Sequence, residues 1–455
     1  MSLQSINPAT GEILKTFNEL TDDELDQKLT LAQETFESWR SMSIPERTTH
    51  LRNIARVLRE EKVTYAQVIT SEVGKTLAAA EAEIEKSATA VDFYADQAEK
   101  FLAPTPIESD ASKSYIRYDP IGVVLAVMPW NFPFWQVFRF LAPALAAGNV
   151  GVLKHASNVQ MSAFAIDDIL HKAGVPSGAF QNLAISSSRV ESVINDPRIR
   201  AVTLTGSEYA GSQVAMQAGR KLKKTLLELG GSDPFIVLED ADIDEAANVA
   251  VAARLQANAG QSCVAAKRFI VDKKIEAEFT SKLVAAVERL VVGDPTNPAT
   301  DVGPIVNKQG VDEIDRQLKE SVEKGAKLLT GGERVEGSGY YYTPAVITNI
   351  SKDMPAYHEE LFGPVLPIIS FDNEDEAIHI ANDTSYGLGS TIFTADISRA
   401  ENIAENIEAG QVFINQQVKS DPRLPFGGVK NSGYGRELSS HGMYEFINIK
   451  TIFVK

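Results

Sequence analysis

The chain of 455 residues holds a single cysteine, Cys263, within the stretch NAGQSCVAAKRF at 258–269. Free cysteine is more often a small buried hydrophobe than a nucleophile. Its flanks argue for chemistry: Gly260, Gln261 and Ser262 make a backbone-baring loop, and strand-like RFIV follows. A thiolate on such a loop can add to a carbonyl carbon. That reaction needs a donor for the oxyanion and a group that moves a proton. MPWNFP at 128–133 has two prolines that stiffen a turn around Asn131, whose amide NH2 suits the first task. TLLELGGSDP at 225–234 puts Glu228 in an apolar strand beside two glycines. Burial there raises a carboxyl pKa toward neutrality, which suits the second. Each has a plainer reading: Asn131 as a turn stabiliser, Glu228 as a buried carboxylate bonded to backbone.

These groups need rigid elements to hold them. The runs VVLAV (123–127), VGVLK (150–154), QNLAI (181–185), AVTLT (201–205) and TLLEL (225–229) are mostly separated by helical segments. Repeated β–α alternation predicts a parallel sheet with helices on both faces. A second series follows Gly230-Gly231: FIVL, a helix over about 243–258, RFIV, a helix over about 275–291, then AKLLTGG, PAVITNI and LPIISF. It ends with a helix over about 374–383, STIFT, a helix over about 398–407, and GQVFIN. Helical periodicity also covers 22–40, 45–62 and one long run from about 64 to 100. Segment 103–120 turns extended, and the amphipathic C-terminal FINIKTIFVK suits pairing with it in an intersubunit sheet.

Length alone asks for more than one core. Lys plus Arg number 44 against 61 Asp plus Glu, a formal charge of −17. That argues against nucleic acid, whose phosphates need a basic face. Distant charges are screened within ~8 Å at physiological salt, so one local arginine can still bind a small anion. No apolar run approaches the ~20 residues of a membrane span, and MSLQSINPATGE has no secretory-signal pattern. A cytoplasmic, reducing location without membrane contact is expected. One cysteine leaves no intrachain disulfide and no Cys-rich zinc site. The histidines form no metal pattern, and His358-Glu359 lacks the second histidine of a zincin motif, so no metal is expected. TLTGSEYAGS reads as strand, turn and helix start, where backbone at Gly206 and Gly211 can approach an anion. Alone, it is an ordinary βα turn.

Together, NAGQSC, MPWNFP, LELGGSDP, TGSEYAGS, EELFGPV and PFGGVKNSGYGRE closely resemble, in order and over nearly the whole chain, the NAD(P)-dependent aldehyde dehydrogenase superfamily. The resemblance implies Cys263 as nucleophile, the Asn131 side chain and Cys263 N–H as oxyanion donors, and Glu228 as the base that activates water against a thioester. CoA-acylating branches do not rely on this glutamate, so its presence favours release of the free acid. It further implies a pyrophosphate at Gly206, Ser207 and Gly211, Lys154 on the adenosine ribose, and Glu360 and Phe362 at the nicotinamide ribose and ring, with Trp130 also binding cofactor. Ser157 departs from the pattern: NAD-preferring members commonly carry a glutamate there, which repels a 2′-phosphate, whereas a serine near a lysine binds one. NADP is therefore the expected cofactor and NAD the weaker alternative. A helix N-cap is the plain alternative for Ser157.

Arg139, eight residues after Asn131, stands where many relatives have an aromatic residue. The succinate semialdehyde dehydrogenase branch shares this arginine and Ser420, which implies a substrate carboxylate at the far end of the pocket. Trp135, Ser262 and Phe426 are expected to line the tunnel. The plain alternatives are an interface salt bridge for Arg139, a loop hydroxyl for Ser420, and simple core for Trp135 and Phe426. Ala265 stands where some relatives carry a second cysteine, so no disulfide switch can form here. The expected fold is α/β and aldehyde dehydrogenase-like. A Rossmann-type cofactor domain would span 1–105 and 121–229, a catalytic α/β domain 230–430, and a small β oligomerisation arm 106–120 and 431–455. The expected reaction is NADP-dependent oxidation of succinate semialdehyde, a small anionic aldehyde, by a homodimer or homotetramer. Glutarate semialdehyde or another short aldehyde is the rival substrate. A non-redox cysteine hydrolase or thioesterase, and a structural protein on this fold, are the rival classes.

Overall fold

A computed structural model describes residues 3–455. Its architecture is α/β, built on two parallel sheets. The first runs Gly433–Tyr434, Lys224–Glu228, Ile199–Thr205, Val123–Met128, Val150–His155 and Phe180–Asn182 in space. All pairings are parallel except that of the Gly433–Tyr434 edge. Its central strand, VVLAVM, is buried on both faces, which is why it reads as a continuous apolar run. The second sheet runs Lys327–Thr330, Ala345–Thr348, Val365–Phe371, Arg268–Asp272, Pro234–Val237, Gly389–Phe393 and Gln411–Ile414, with only the first strand antiparallel. The link Leu229–Asp233 joins the carboxyl end of a strand in one sheet to the amino end of a strand in the other.

Local signals explain the helix starts. Thr21 with Glu24, and Ser43 with Glu46, form capping boxes for Asp22–Ser41 and Ile44–Glu60. The long helical run divides at Gly74, whose φ of +83° ends Lys62–Val73 before Thr76 caps Leu77–Leu102. The helix from Ile243 narrows to Ile243–Val251 and passes into a π turn, Ala252–Gln256. The QNLAI strand is only Phe180–Asn182. Helix Lys308–Glu323 was not foreseen, although Asn307 caps it and Val311, Ile314 and Leu318 bury one face. Its dense charges hid that stripe.

Lys113–Pro120 pairs antiparallel with Ile447–Val454, and Thr105–Pro106 adds a third strand. Of the C-terminal stretch expected in this arm, Gly433–Tyr434 joins the first sheet instead, beside Leu227 and Glu228. Among the described residues no helix is long and apolar enough to cross a membrane.

Helix Gln160–Lys172 begins after Val159 and has no side-chain cap of its own, so Ser157 is not its N-cap. The cap comes from a distance. The buried Glu72 carboxylate accepts from Met161 N–H at 2.7 Å, Ser162 N–H at 2.8 Å and the Ser162 hydroxyl at 2.7 Å. Glu72→Ala orphans these donors and should lower stability by about 2 kcal/mol, the upper range for a lost cap. Thermal or urea unfolding of the pair of proteins checks this; an unchanged midpoint would show that water replaces the carboxylate.

Candidate active site

In the first sheet the chain reverses its direction of travel between Val123–Met128 and Ile199–Thr205. Ligands of open α/β sheets bind outside the carboxyl ends of strands at such a point. The loops leaving these two strands, Pro129–Asn131 and Gly206–Ser207, wall a cleft of about 220 Å³ that Glu360, Phe362 and Cys263 complete. A second cavity of about 420 Å³ lies on the other side of Cys263, with Trp135, Arg139, Ser262, Ser420 and Phe426 in its wall. Cys263 and Gln136 border both spaces. The thiol therefore stands where two ligands could meet.

The cysteine loop is held by many polar contacts. Asn131 Nδ2 donates to the Gln261 carbonyl at 3.1 Å, and Asn258 Nδ2 donates to the Asn131 carbonyl at 3.2 Å. Gln136 Nε2 donates to Asn131 Oδ1 at 3.0 Å, which turns the Asn131 NH2 toward the cysteine loop and leaves one N–H uncommitted. The Cys263 backbone N–H has no protein acceptor among the described residues. Buried Lys267 donates to the Ser262 carbonyl at 2.9 Å and the Cys263 carbonyl at 2.7 Å. His155 supports the MPWNFP turn, its Nε2 donating to the Pro133 carbonyl at 2.9 Å while Nδ1 accepts from Ala156 N–H at 3.0 Å. Burial holds its pKa down at about 4, so this ring is neutral and structural.

Glu228 is buried and lies in neither cavity wall. Neither carboxylate oxygen has a hydrogen-bond partner. Its neighbours are Glu437, Arg139 and the backbone at Gly427, where a Cβ would come within 2.8 Å of Oε1. Burial first, and then Glu437, push the Glu228 carboxyl well above the carboxylate range. The plain reading of a glutamate bonded to backbone is thus not what the structure holds. Arg139 Nε is 2.5 Å from Glu437 Oε2, although the N–H is not aimed for a hydrogen bond, and Nη2 donates to Thr205 Oγ1 at 3.2 Å. Its guanidinium also lies 4.7 Å from the centre of the Phe426 ring. The ion pair considered for Arg139 exists, but within the chain. Phe426 and Trp135 are both buried and both line the cavity.

On the cleft side, Ser207 caps helix Glu208–Arg220, accepting from Ala210 N–H at 3.3 Å and keeping its own O–H free to donate. Gly211 needs no ligand to explain it, since a Cβ there would strike Leu229 Cδ2 at 2.6 Å. At Gly206 a Cβ would meet only ordinary contacts, so the protein itself does not demand glycine. Glu360 Oε1 accepts from Gly231 N–H at 3.1 Å and is 3.3 Å from Lys267 Nζ. Trp130 and Phe362 meet edge to face with centroids 5.9 Å apart. Lys154 is buried, its Nζ donating to Ser187 Oγ at 3.3 Å, and it pairs with no carboxylate among the described residues. A buried ammonium left without a counter-ion, near Ser157, fits a phosphorylated nucleotide. Among the described residues no cluster of His, Cys, Asp or Glu could hold a metal ion.

The family model for "Aldehyde dehydrogenase family" matches residues 1–452. The chain belongs to the aldehyde dehydrogenase family. The curated relative "Succinate-semialdehyde dehydrogenase [NADP(+)] 1" of Mycobacterium tuberculosis (strain H37Rv) is 51% identical over 457 residues, covering 100% of both chains. "Probable succinate-semialdehyde dehydrogenase [NADP(+)]" of a Synechocystis strain is 49% identical, again over 100% of both. The solved succinic semialdehyde dehydrogenase of Streptococcus pyogenes, in complex with NADP+, superposes with a TM-score of 0.97 at 42% identity, covering 99% of both chains.

For an aldehyde dehydrogenase, the structure adds residues that motif reading passed over: Gln136, Lys267 and Lys86. Gln136 follows MPWNFP by three residues and Lys267 follows Cys263 by four, but nothing in their types announced a role. Burial pushes the Cys263 thiol up to about 11, against the pull of Lys267 and Arg139. The protonated thiol is thus the resting form near neutral pH, and the thiolate gains only as pH rises. As Cys263 is the only cysteine, alkylation by iodoacetamide should be slow at pH 7 and still accelerating above about pH 9. A rate already at plateau by pH 8 would contradict this environment.

Proposed function

We propose that this aldehyde dehydrogenase oxidises succinate semialdehyde to succinate with NADP. The observation that carries the proposal is the cavity beyond Cys263, whose wall holds Lys86, Arg139 and Lys419 with Ser420. The single carboxylate in that wall, Glu83, is already paired with Lys75. Such a cavity favours an aldehyde with an acid at its far end over an uncharged one. The names of the relatives support the same substrate and cofactor, and Ser157 in place of an acid supports NADP. A glutarate chain adds one methylene, worth only ~1–3 kcal/mol in a fitted pocket, so it ranks as a secondary substrate.

The Cys263 thiolate adds to the aldehyde carbon and gives a thiohemiacetal. The remaining Asn131 N–H and the Cys263 backbone N–H donate to its oxyanion. NADP, when bound, supplies the hydride acceptor, and Lys154, Ser157, Ser207, Glu360, Phe362 and Trp130 would hold it. Loss of hydride from the substrate carbon leaves a thioester on Cys263. Glu228 then turns from its buried position, takes a proton from water, and the water displaces the thiol. The exposed apolar residues Ile449, Phe453 and Val454 on the arm support its role in a homodimer or homotetramer. The cofactor domain is proposed over 1–105 and 121–229 and the catalytic domain over 230–430.

The direct test is NADPH formation at kcat/KM level for succinate semialdehyde beside butyraldehyde, with NADP and NAD in parallel. The acid aldehyde with NADP should win; a preference for butyraldehyde would remove the substrate assignment and leave the family intact. Glu228→Gln should keep a burst of one NADPH per active site and lose steady turnover by about 100-fold, since only the second half-reaction needs the base. Loss of the burst together with turnover would place Glu228 in the first half-reaction.

A further inference from the structure

Asn131 is tied down from two sides. On one side it meets the cysteine loop, donating to the Gln261 carbonyl while its own carbonyl accepts from Asn258. On the other, its Oδ1 accepts from Gln136 Nε2 at 3.0 Å. Gln136 stands in the first turn of helix Trp135–Ala147, so its place is set by how that helix begins. The helix has no side-chain cap of its own, and every one of its residues is buried. Pro133 supplies no N–H. Gln136 N–H donates to the Phe132 carbonyl at 3.1 Å. The two donors between them go to a distant carboxylate: Glu83 Oε1 accepts from Phe134 N–H at 2.9 Å and from Trp135 N–H at 3.1 Å.

Glu83 is itself fixed. It lies on helix Leu77–Leu102, and its Oε2 accepts from Lys75 Nζ, with both side chains fully buried. The same ammonium lies 3.3 Å from the centre of the Phe132 ring. Lys75 and Glu83 therefore grip the chain on both sides of Pro133, directly after Asn131.

We propose that Glu83 is a positioning residue for the oxyanion donor. Held by Lys75, it fixes the start of helix Trp135–Ala147 and, through Gln136, aims the uncommitted Asn131 N–H at the substrate oxygen. This rests on the mechanism given above, in which Asn131 serves the oxyanion. Without an acceptor at Oε1, two buried N–H groups are orphaned, which is costly, and the first turn shifts to find others. Gln136 moves with that turn and takes the Asn131 amide with it. A misplacement of ~1 Å at a reacting centre costs up to roughly 100-fold in rate. The oxygen at Oε1 is what the helix start needs. The negative charge serves to hold Lys75.

The measurement is kcat/KM for butyraldehyde with NADP. An uncharged aldehyde is chosen so that removing charge from the cavity wall has no bearing on its binding. Asn131→Ala should lower kcat/KM by roughly 100-fold or more, the worth of an oxyanion donor. Lys75→Met combined with Glu83→Leu deletes the acceptor without leaving a lone buried charge. In the native background it should cost roughly 10- to 100-fold. Added to Asn131→Ala it should cost less than about 2-fold, because residues acting through one group are not additive. Lys75→Met combined with Glu83→Gln puts a neutral oxygen at the same place and should recover most of the loss. Alkylation of Cys263 by iodoacetamide, which needs no oxyanion donor, should keep its native rate in each variant.

An equal loss in the native and Asn131→Ala backgrounds overturns the proposal, as does alkylation slowed in step with turnover. A glutamine variant as impaired as the leucine variant overturns it too. Native kcat/KM in Asn131→Ala overturns the reading of Asn131 and this proposal with it. If the leucine variant fails to fold, Glu83→Gln alone goes through the same cycle: a loss that vanishes in Asn131→Ala supports the proposal, and an additive loss or none overturns it.

Discussion

The carbonyl of Cys263 lies 2.6 Å from where a Cβ on Gly231 would be, and Glu360 Oε2 lies 2.6 Å from the corresponding point on Gly230. Both close approaches occur on the link between the two sheets. They bring the Cys263 loop and a cleft carboxylate against the same short piece of backbone. Lys267 completes the arrangement by donating to the Ser262 and Cys263 carbonyls while touching Glu360. If the loop moved outward, a buried ammonium would lose its partners, and that cost keeps the loop in place. The positions of Asn131, Cys263 and Glu360 all depend on this contact.

Much of the buried charge elsewhere is spent on backbone. Arg254 donates to the Leu361 carbonyl at 2.7 Å and the Gly363 carbonyl at 2.5 Å, fixing the segment that carries Phe362. Arg268 binds the Ser232, Ile380 and Ala381 carbonyls. Glu83 and Glu72 receive backbone N–H groups at the start of two helices, where the helix dipole also favours an anion. Lys154 at the end of strand Val150–His155 and Lys86 in the wall of the larger cavity pair with no carboxylate among the described residues. Each meets a hydroxyl instead of a carboxylate. The proposed ligands are anionic at both places, so the missing counter-ions are ones that ligands can supply.

Glu228 shows how environment sets chemistry. An isolated carboxyl in water is too weak a base to compete near neutral pH, whereas burial beside Glu437 raises its affinity for a proton. Gly427 leaves room beside Oε1 that a larger residue would fill. The carboxyl lies away from both cavities, so in the proposed mechanism it takes no part in the first half of the reaction. The same burial that raises its affinity for a proton keeps it out of both cavity walls.

The sequence by itself was enough for the α/β class, the two sheets and the arm strands, and it singled out Cys263, Asn131 and Glu228 as candidates. These are written in local patterns: apolar runs separated by helical periods, prolines around one asparagine, an acid beside paired glycines. It was also enough for the family, because six motifs fall in order along one chain. Boundaries were less legible. Gly74 broke a helix that periodicity carried through, and Gly433–Tyr434 left the arm for the first sheet. Only the tertiary structure could decide the partners of charged side chains. Arg139 meets Glu437 across 298 residues of sequence distance, within the chain rather than at an interface. Lys86 meets Ser420 from 334 residues away. Nothing local encodes such pairs, because a charge is matched by whatever the packed chain brings within a few ångströms of it.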